Sequence, residues 1–128
     1  MTLIVKNNKK GCEDMNINQL LSKNLFTLVN DGQNGDFTIS KPFCCDLLSV
    51  AMGKAPAGCV WITVMGNSNT LAVATLAEAA CIIFAEGAKL DDVALSKAKE
   101  HCITVLYTDL PIFDAALKVH QLIQEYDI

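Results

Sequence analysis

The chain has 128 residues, of which 52% are hydrophobic and 19% are charged. This length fits one domain, and the composition supplies enough apolar side chains for a core while carrying too little charge for a disordered chain. All ten basic residues are lysines, against fourteen acidic residues, so the net charge is -4. Because the chain lacks the bidentate guanidinium of arginine and is acidic overall, we expect it to bind neither nucleic acid nor an anionic membrane surface.

The cysteine pattern favours a reducing compartment. The N-terminus lacks the long apolar stretch of a signal peptide, and most cysteines lie inside apolar runs, where a reduced thiol packs as a small hydrophobe. We therefore expect a cytoplasmic protein without a disulfide framework. The cysteines are Cys12, Cys44, Cys45, Cys59, Cys81 and Cys102.

The folded domain is predicted to begin at Met15 and to include residues 15–128. Residues 1–14 show no sustained periodicity, and we interpret them as an N-terminal extension for which disorder is one possibility. Directly after Met15, Asn16 is a suitable N-cap for a short helix with an apolar face, because its side-chain oxygen can accept from exposed amides.

Two strands and a helix are predicted next. Residues 25–29 and 37–39 are rich in residues typical of strands, so they are expected to pair as a hairpin across the polar segment between them. Ser40, followed by lysine and proline, is typical of a helix start, since serine caps amides and proline is tolerated in the first turn. The predicted helix covers residues 43–52, and Gly53 fits its C-terminal cap.

From residue 58 onward, apolar runs alternate with helical segments. The runs are nearly unbroken, as expected of strands that are covered on both faces. Each run is followed by a segment with helical periodicity and a short link. The apolar runs cover residues 59–65, 81–85 and 103–107, and the helical segments cover residues 69–77, 91–101 and 110–124.

This alternation predicts an α/β fold. Strand and helix units repeated with short links indicate right-handed crossovers and a mainly parallel sheet, so the expected architecture is a three-layer α/β/α domain. The last helix should pack on the sheet through one continuous apolar stripe formed by Ile112, Ala116, Val119 and Ile123.

In such sheets ligands bind beyond the carboxyl ends of the strands. That rule selects three loops as a ligand site. The best candidate is the loop from Gly66 to Thr70, because glycine and small polar residues open a helix whose amides carry partial positive charge. In the alternative, Gly66 only makes the turn and Ser68 or Asn69 only caps the helix. The predicted ligand-binding residues are Gly66, Asn67, Ser68, Asn69, Thr70, Glu86, Gly87, Thr108 and Asp109.

Glu86 also leaves two interpretations open. A carboxylate at the carboxyl edge of the sheet could orient a ligand, and it could equally be a solvated turn residue. No Walker A spacing occurs in the sequence, so phosphotransfer from ATP by this chain alone is not expected. No motif indicates a cofactor, and we predict none.

Thiol or metal chemistry is the least favoured alternative. Cys44 and Cys45 are adjacent at the predicted helix start, where the helix dipole would lower a thiol pKa. Neighbouring helical residues point about 100° apart, so they do not form the clamp of a CxxC motif, and the favoured interpretation is structural thiols. His101 and His120 have no partner at motif spacing. We predict no metal site and no catalytic residues.

The chain resembles the DRTGG domain. The resemblance covers residues 15–123 and is closest from Asp46 onward, in the run Cys45-Asp46-Leu47-Leu48-Ser49 and then in residues 58–65, 66–76, 81–87 and 103–117. DRTGG domains occur alone in small bacterial proteins, and attached to phosphotransacetylases and CBS-domain pyrophosphatases. They are related to the N-terminal domain of HPr kinase/phosphorylase.

The resemblance implies a three-layer α/β domain with a regulatory or assembly role, often dimeric, without an established activity of its own. The chain departs from the family pattern at two places. Gly66-Asn67-Ser68 stands where the family shows Gly-Asp-Arg, and Ala85-Glu86-Gly87 stands where it shows Thr-Gly-Gly. Both glycines are kept and the Asp–Arg pair is absent, which puts in doubt any ligand that relied on that pair.

The expected function is that of a bacterial cytoplasmic regulatory module without catalysis. Such a module would self-associate as a homodimer and bind a small polar or nucleotide-like ligand at the three loops. The main alternative is a structural adaptor that docks on a partner enzyme.

Overall fold

A computed structural model describes residues 14–126 and contains one five-stranded sheet. Along the chain the strands are β1 (Thr27–Asn30), β2 (Pro42–Cys44), β3 (Val60–Thr63), β4 (Cys81–Phe84) and β5 (Val105–Tyr107). Their order across the sheet is β1-β5-β4-β3-β2. The strands β2 to β5 are parallel, and β1 pairs with β5 in the antiparallel direction. The prediction of a mainly parallel sheet is confirmed.

Helices cover both faces of the sheet. They are α1 (Ile17–Ser22), α2 (Leu48–Lys54), α3 (Ser68–Ala77), α4 (Asp92–Glu100) and α5 (Ile112–Tyr126). The buried residues of α2, α3 and α4 form one apolar cluster with one face of the sheet, and those of α1 and α5 form a second cluster with the other face. The three-layer architecture is therefore confirmed. Within residues 14–126, no helix combines the length and the apolar character needed to cross a membrane.

The central strands explain the unbroken apolar runs of the sequence. Every residue of β3 and β4 is buried, because helices cover both of their faces. Trp61 is fully buried, and its indole N–H donates to the carbonyl oxygen of Cys45 at 2.9 Å, which satisfies the one polar group of the ring.

The predicted helix over residues 43–52 is wrong in its first half. Pro42 begins an edge strand instead, where its missing N–H costs no ladder bond, and Lys41 accepts from Val60 N at 2.9 Å. The hydroxyl of Ser40 donates to the Ala57 carbonyl oxygen at 2.9 Å and caps no helix. Gly53 lies inside α2, whose C-cap is Ala55.

The predicted hairpin between residues 25–29 and 37–39 is also wrong. Residues 37–39 form no strand and only an isolated bridge, in which Thr38 pairs with Asn16. Ile39 is 3% exposed and its N–H donates to the Met15 carbonyl oxygen at 2.8 Å, so this segment packs against the start of the domain. The strand β1 instead pairs with β5 and forms one edge of the sheet.

The N-cap prediction for α1 is confirmed. The side chain of Asn16 accepts from the N–H of Gln19 at 2.9 Å, and the Gln19 side chain accepts from Asn16 N at 2.8 Å, which completes a capping box. Met15 is 1% exposed and already belongs to the core. Of the predicted extension, residues 1–13 lie outside the described residues.

The buried line of α5 differs from the predicted stripe. Its buried residues are Ala115, Val119 and Leu122, whereas Ile112 and Ile123 are only partly buried beside them. The apolar arc of the helix is wider than one line, and periodicity alone does not say which line lies closest to the sheet.

Candidate functional site at the carboxyl ends of the strands

The loop after β3 is organised by the cap of α3. The side-chain oxygen of Asn67 accepts from Asn69 N at 3.0 Å and from Thr70 N at 3.2 Å, so the N-cap is Asn67 rather than the predicted Ser68 or Asn69. Thr70 is fully buried, and its hydroxyl donates to the Met65 carbonyl oxygen at 2.6 Å. Two of the exposed amides in this first turn therefore already have a side-chain acceptor.

Gly66 sits where two loops nearly touch. A Cβ atom at this position would lie 2.2 Å from the carbonyl oxygen of Lys89, in the loop after β4. The Gly66 carbonyl oxygen accepts from Asp91 N at 3.2 Å, at the start of α4. The absence of a side chain thus lets the β3 and β4 loops pack backbone to backbone.

The loop after β4 is tied to the loop after β5. Glu86 has a φ of 57° and Gly87 a φ of 76°. The Glu86 N–H donates to the Leu110 carbonyl oxygen at 2.9 Å, and the Gly87 N–H donates to the Thr108 carbonyl oxygen at 3.1 Å. The Glu86 carboxylate also accepts from Ile112 N at 3.4 Å, at the first residue of α5. The structure therefore brings four predicted site residues together: Glu86, Gly87, Thr108 and Asp109.

These two loops diverge to opposite faces of the sheet. The chain leaves β4 toward α4 on one face and leaves β5 toward α5 on the other. In parallel sheets, a crevice opens where neighbouring loops separate in this way, and such crevices are where ligands bind. The carboxyl ends of β4 and β5 are therefore the candidate functional site.

A small cleft of about 140 Å³ opens beside these ends. It is lined by Thr27, Lys89, Tyr107, Thr108 and Asp109. The Lys89 ammonium lies 4.7 Å from the centroid of the Tyr107 ring, within range of a cation–π contact. The Tyr107 hydroxyl accepts from Leu90 N at 2.8 Å, so the proton of the hydroxyl remains available to a ligand.

The cleft therefore offers both hydrogen-bond donors and acceptors. Lys89 and Tyr107 can donate, the carboxylate of Asp109 can accept, and Thr108, whose hydroxyl oxygen accepts from Leu110 N at 3.2 Å, can still donate its proton. This combination suits a polar ligand with both kinds of group. The volume admits one ring or one compact polar group of such a ligand, and the remainder would lie in solvent.

Sequence reasoning missed Lys89, Tyr107 and Thr27. Tyr107 ends the predicted strand 103–107, and a tyrosine at the carboxyl end of a buried strand is a usable signal because its polar tip points to the edge. Thr27 carries no such signal. It reaches the cleft only because it pairs with Tyr107 across the antiparallel edge of the sheet.

Asp46 is another residue that the sequence did not single out by its chemistry. It follows β2, and its Oδ1 atom accepts from the Thr63 hydroxyl at 2.6 Å and from Val64 N at 3.0 Å. These two bonds fix the exposed Asp46 side chain in place after β2.

Two further predicted site residues line another cavity. Ser68 and Asn69 line a groove between α3 and α4, together with residues of both helices. The predicted site thus divides into two places: the cleft at β4 and β5, and the mouth of this helical groove.

The cysteines do not form the predicted helix-start pair. Cys44 ends β2 and Cys45 follows it, ahead of α2. Burial, with the negative charge of Asp46 as the lesser cause, raises the pKa of Cys44, opposite to the predicted lowering by a helix dipole. Burial raises the pKa of Cys59 to about 11 and that of Cys81 to about 12. Among residues 14–126, no cluster of three or more histidine, cysteine or acidic side chains could hold a metal ion.

Comparison with known proteins gives a match in fold. No family model and no curated protein matches the chain. The fold matches the crystal structure of the CBS and DRTGG domains of the regulatory region of Clostridium perfringens pyrophosphatase, complexed with the activator diadenosine tetraphosphate. The TM-score is 0.64 at 16% identity, and the match covers 82% of this chain. The fold is DRTGG-like.

The DRTGG-like fold expected from the sequence is thereby confirmed. This chain spans 45% of the pyrophosphatase chain that it matches. At this level of identity the match establishes a shared architecture, and the role of the individual loop residues rests on their geometry.

Proposed function

We propose that the chain is a regulatory, ligand-sensing module of a bacterial cytoplasmic system, which acts by binding and not by catalysis. Its ligand is small and polar or nucleotide-like, and binds in the cleft beside the carboxyl ends of β4 and β5. One observation carries the proposal: the loops after β4 and β5 lead to opposite faces of the sheet. The cleft lined by Lys89, Tyr107 and Asp109 lies beside the point where they separate.

The comparison structure supports the regulatory part of the proposal. That protein has the same fold within a regulatory region, and its crystal contains a nucleotide activator. The side chains of the cleft support the ligand class, because an aromatic ring, an ammonium and a carboxylate are groups that bind a base, a phosphate and a ribose hydroxyl or amino group, respectively.

Thermal unfolding with AMP, ATP and diadenosine tetraphosphate tests the proposal. A ligand at one hundred times its dissociation constant should stabilise the fold by about 2.7 kcal/mol. The shift should be lost in the double variant Lys89→Ala, Asp109→Ala, and kept in Lys54→Ala, which removes an exposed lysine from α2. Absence of a shift with every compound would refute ligand sensing of this class.

A second candidate function is assembly, for which the outer face of α5 gives a specific observation. Phe113 is 70% exposed and Leu117 is 39% exposed, and the spacing of four residues places them on one side of the helix. That side lies opposite the buried Ala115 and Val119. Large apolar side chains exposed together are typical of interaction surfaces.

For this face we propose a second copy of the chain as the partner. Asp114 and Lys118 flank the apolar pair on one edge of α5, and both are exposed. When two copies of α5 pack antiparallel about a twofold axis, the same edge of each helix lies against the other. Asp114 would then face Lys118 of the partner subunit, and Lys118 would face the partner's Asp114. The surface is thus self-complementary in charge.

Sedimentation of charge variants tests the assembly function. Asp114→Lys or Lys118→Glu alone should weaken the dimer, and the double variant should restore it, while Val93→Asp, at a 62% exposed residue of α4, should have no effect. A monomeric wild-type chain that binds another protein through Phe113 would favour the adaptor alternative. A wild-type monomer without such binding would refute assembly through α5.

A further inference from the structure

A groove of about 460 Å³ runs between α3 and α4, on the outer side of the helical layer. This volume lies within the usual range of about 300–1,000 Å³ for small-molecule sites, and it is larger than the cleft at the strand ends. The groove shares no lining residue with the cleft on which the proposed function depends.

The side of the groove that α3 contributes is apolar. Leu71 is 1% exposed, while Leu76 is 72% exposed beside it. Ala72 and Thr75 continue this wall beyond the polar Ser68 and Asn69, and the Thr75 hydroxyl already donates to the Leu71 carbonyl oxygen at 3.0 Å. A ligand that lies along α3 would therefore meet mostly carbon.

The side that α4 contributes is basic. Lys97 and His101 are four residues apart, so they lie on one side of the helix end. In the described part of the chain, the residues that line this groove include these two basic side chains and no acidic one.

Lys97 is not held strongly by its neighbour. Its ammonium lies 3.8 Å from the carboxylate of Glu100, and both side chains are about half exposed, at 47% and 63%. An exposed pair at this distance contributes little, so an anionic ligand can compete for the ammonium.

We propose that the α3–α4 groove binds an organic anion with an apolar body, such as an aryl or alkyl carboxylate, sulfonate or phosphate. The body lies against Ala72 and Leu76, and the anionic group lies between Lys97 and His101. This site is independent of the proposed nucleotide-like ligand at the ends of β4 and β5.

Fluorescence titration with 1-anilinonaphthalene-8-sulfonate tests the site in the native protein. The double variant Lys97→Ala, His101→Ala should bind the probe roughly tenfold more weakly, as expected when an exposed ammonium and an imidazole hydrogen-bond donor are lost. Its affinity for N-phenyl-1-naphthylamine, which lacks the sulfonate, should change less than about twofold. Lys99→Ala removes another exposed lysine of α4 that does not line the groove, and should leave both affinities unchanged.

Substitutions in the wall of the groove test whether the probe binds there. Ala72→Trp should abolish binding of both probes, and Leu76→Asp, at a strongly exposed position that tolerates charge, should weaken the sulfonate probe at least about fivefold. Unchanged sulfonate binding in the double variant or in Leu76→Asp would overturn the proposal. The variant Lys89→Ala, Asp109→Ala should bind the probe like the wild type, and a loss there would assign the probe to the cleft and equally overturn the groove site.

Discussion

Replacement of Gly66 by alanine should push the loop after β3 away from the loop after β4, which carries Lys89 of the candidate site. The new Cβ would lie 2.2 Å from the Lys89 carbonyl oxygen and 2.9 Å from its carbonyl carbon, and both are backbone atoms that cannot rotate away. Relief of the clash must move the β4 loop by more than about 1 Å. That movement threatens the bond of 3.2 Å from Asp91 N to Gly66 O.

The expected cost is the sum of two contributions. Overpacking costs about 1–3 kcal/mol and loss of one hydrogen bond about 0.5–1.5 kcal/mol, so Gly66→Ala should lower the free energy of unfolding by roughly 1.5–4.5 kcal/mol. Gly53→Ala is the matched control, because a Cβ there meets nothing within 4 Å and the residue lies inside α2. The control should be more stable by about 0.5–1 kcal/mol.

Urea unfolding followed by the fluorescence of Trp61 measures both variants, since this single tryptophan is fully buried in the native state. The Gly66→Ala midpoint should fall with an unchanged slope, and the Gly53→Ala midpoint should rise. A Gly66→Ala protein within about 0.5 kcal/mol of the wild type would refute the argument that the two loops meet backbone to backbone.

Three further outcomes follow from the same geometry. Asn67→Ala removes the cap of α3 and should lower the free energy of unfolding by about 1 kcal/mol in the urea assay, whereas an unchanged midpoint would contradict the capping role. Burial raises the pKa of Cys59 to about 11 and of Cys81 to about 12. Above pH 9 the native state therefore keeps two protons that the unfolded chain releases. The free energy of unfolding should then fall by about 1.4 kcal/mol per pH unit for each thiol. The decline above pH 9 should be shallower in Cys81→Ala, and parallel declines would be inconsistent with the assignment. Asp46→Asn keeps the acceptor oxygen but removes the negative charge that helps to raise the pKa of Cys44. Labelling of Cys44 by a disulfide reagent at pH 8 should therefore be faster than in the wild type. An equal or lower rate would argue against the contribution of Asp46.

The sheet could be predicted where burial is complete. β3 and β4 appear in the sequence as unbroken apolar runs because helices cover both of their faces. β2 could not be predicted, because it is a short edge strand that starts with Pro42, and Ser-Lys-Pro is an equally good helix start in local terms. Only pairing with β3 decides between the two, and local sequence does not contain that information.

The candidate site was predictable to the level of its loops. The carboxyl-end rule selects Glu86, Gly87, Thr108 and Asp109 from the order of elements alone, and the structure brings these four residues together. Lys89 could not be assigned, because its place depends on the turn after β4 and on its contact with Tyr107. The role of Gly66 could not be predicted either. The sequence does not distinguish a glycine that allows two backbone segments to pack closely from a glycine that allows a turn.

Chemical-shift mapping of the ¹⁵N-labelled chain with AMP and with diadenosine tetraphosphate tests the central claim most directly. The account predicts saturable shifts concentrated in the amides of residues 86–90 and 107–110, which surround the cleft at the ends of β4 and β5. Shifts confined to the α3–α4 groove, or no shifts at millimolar ligand, would contradict it.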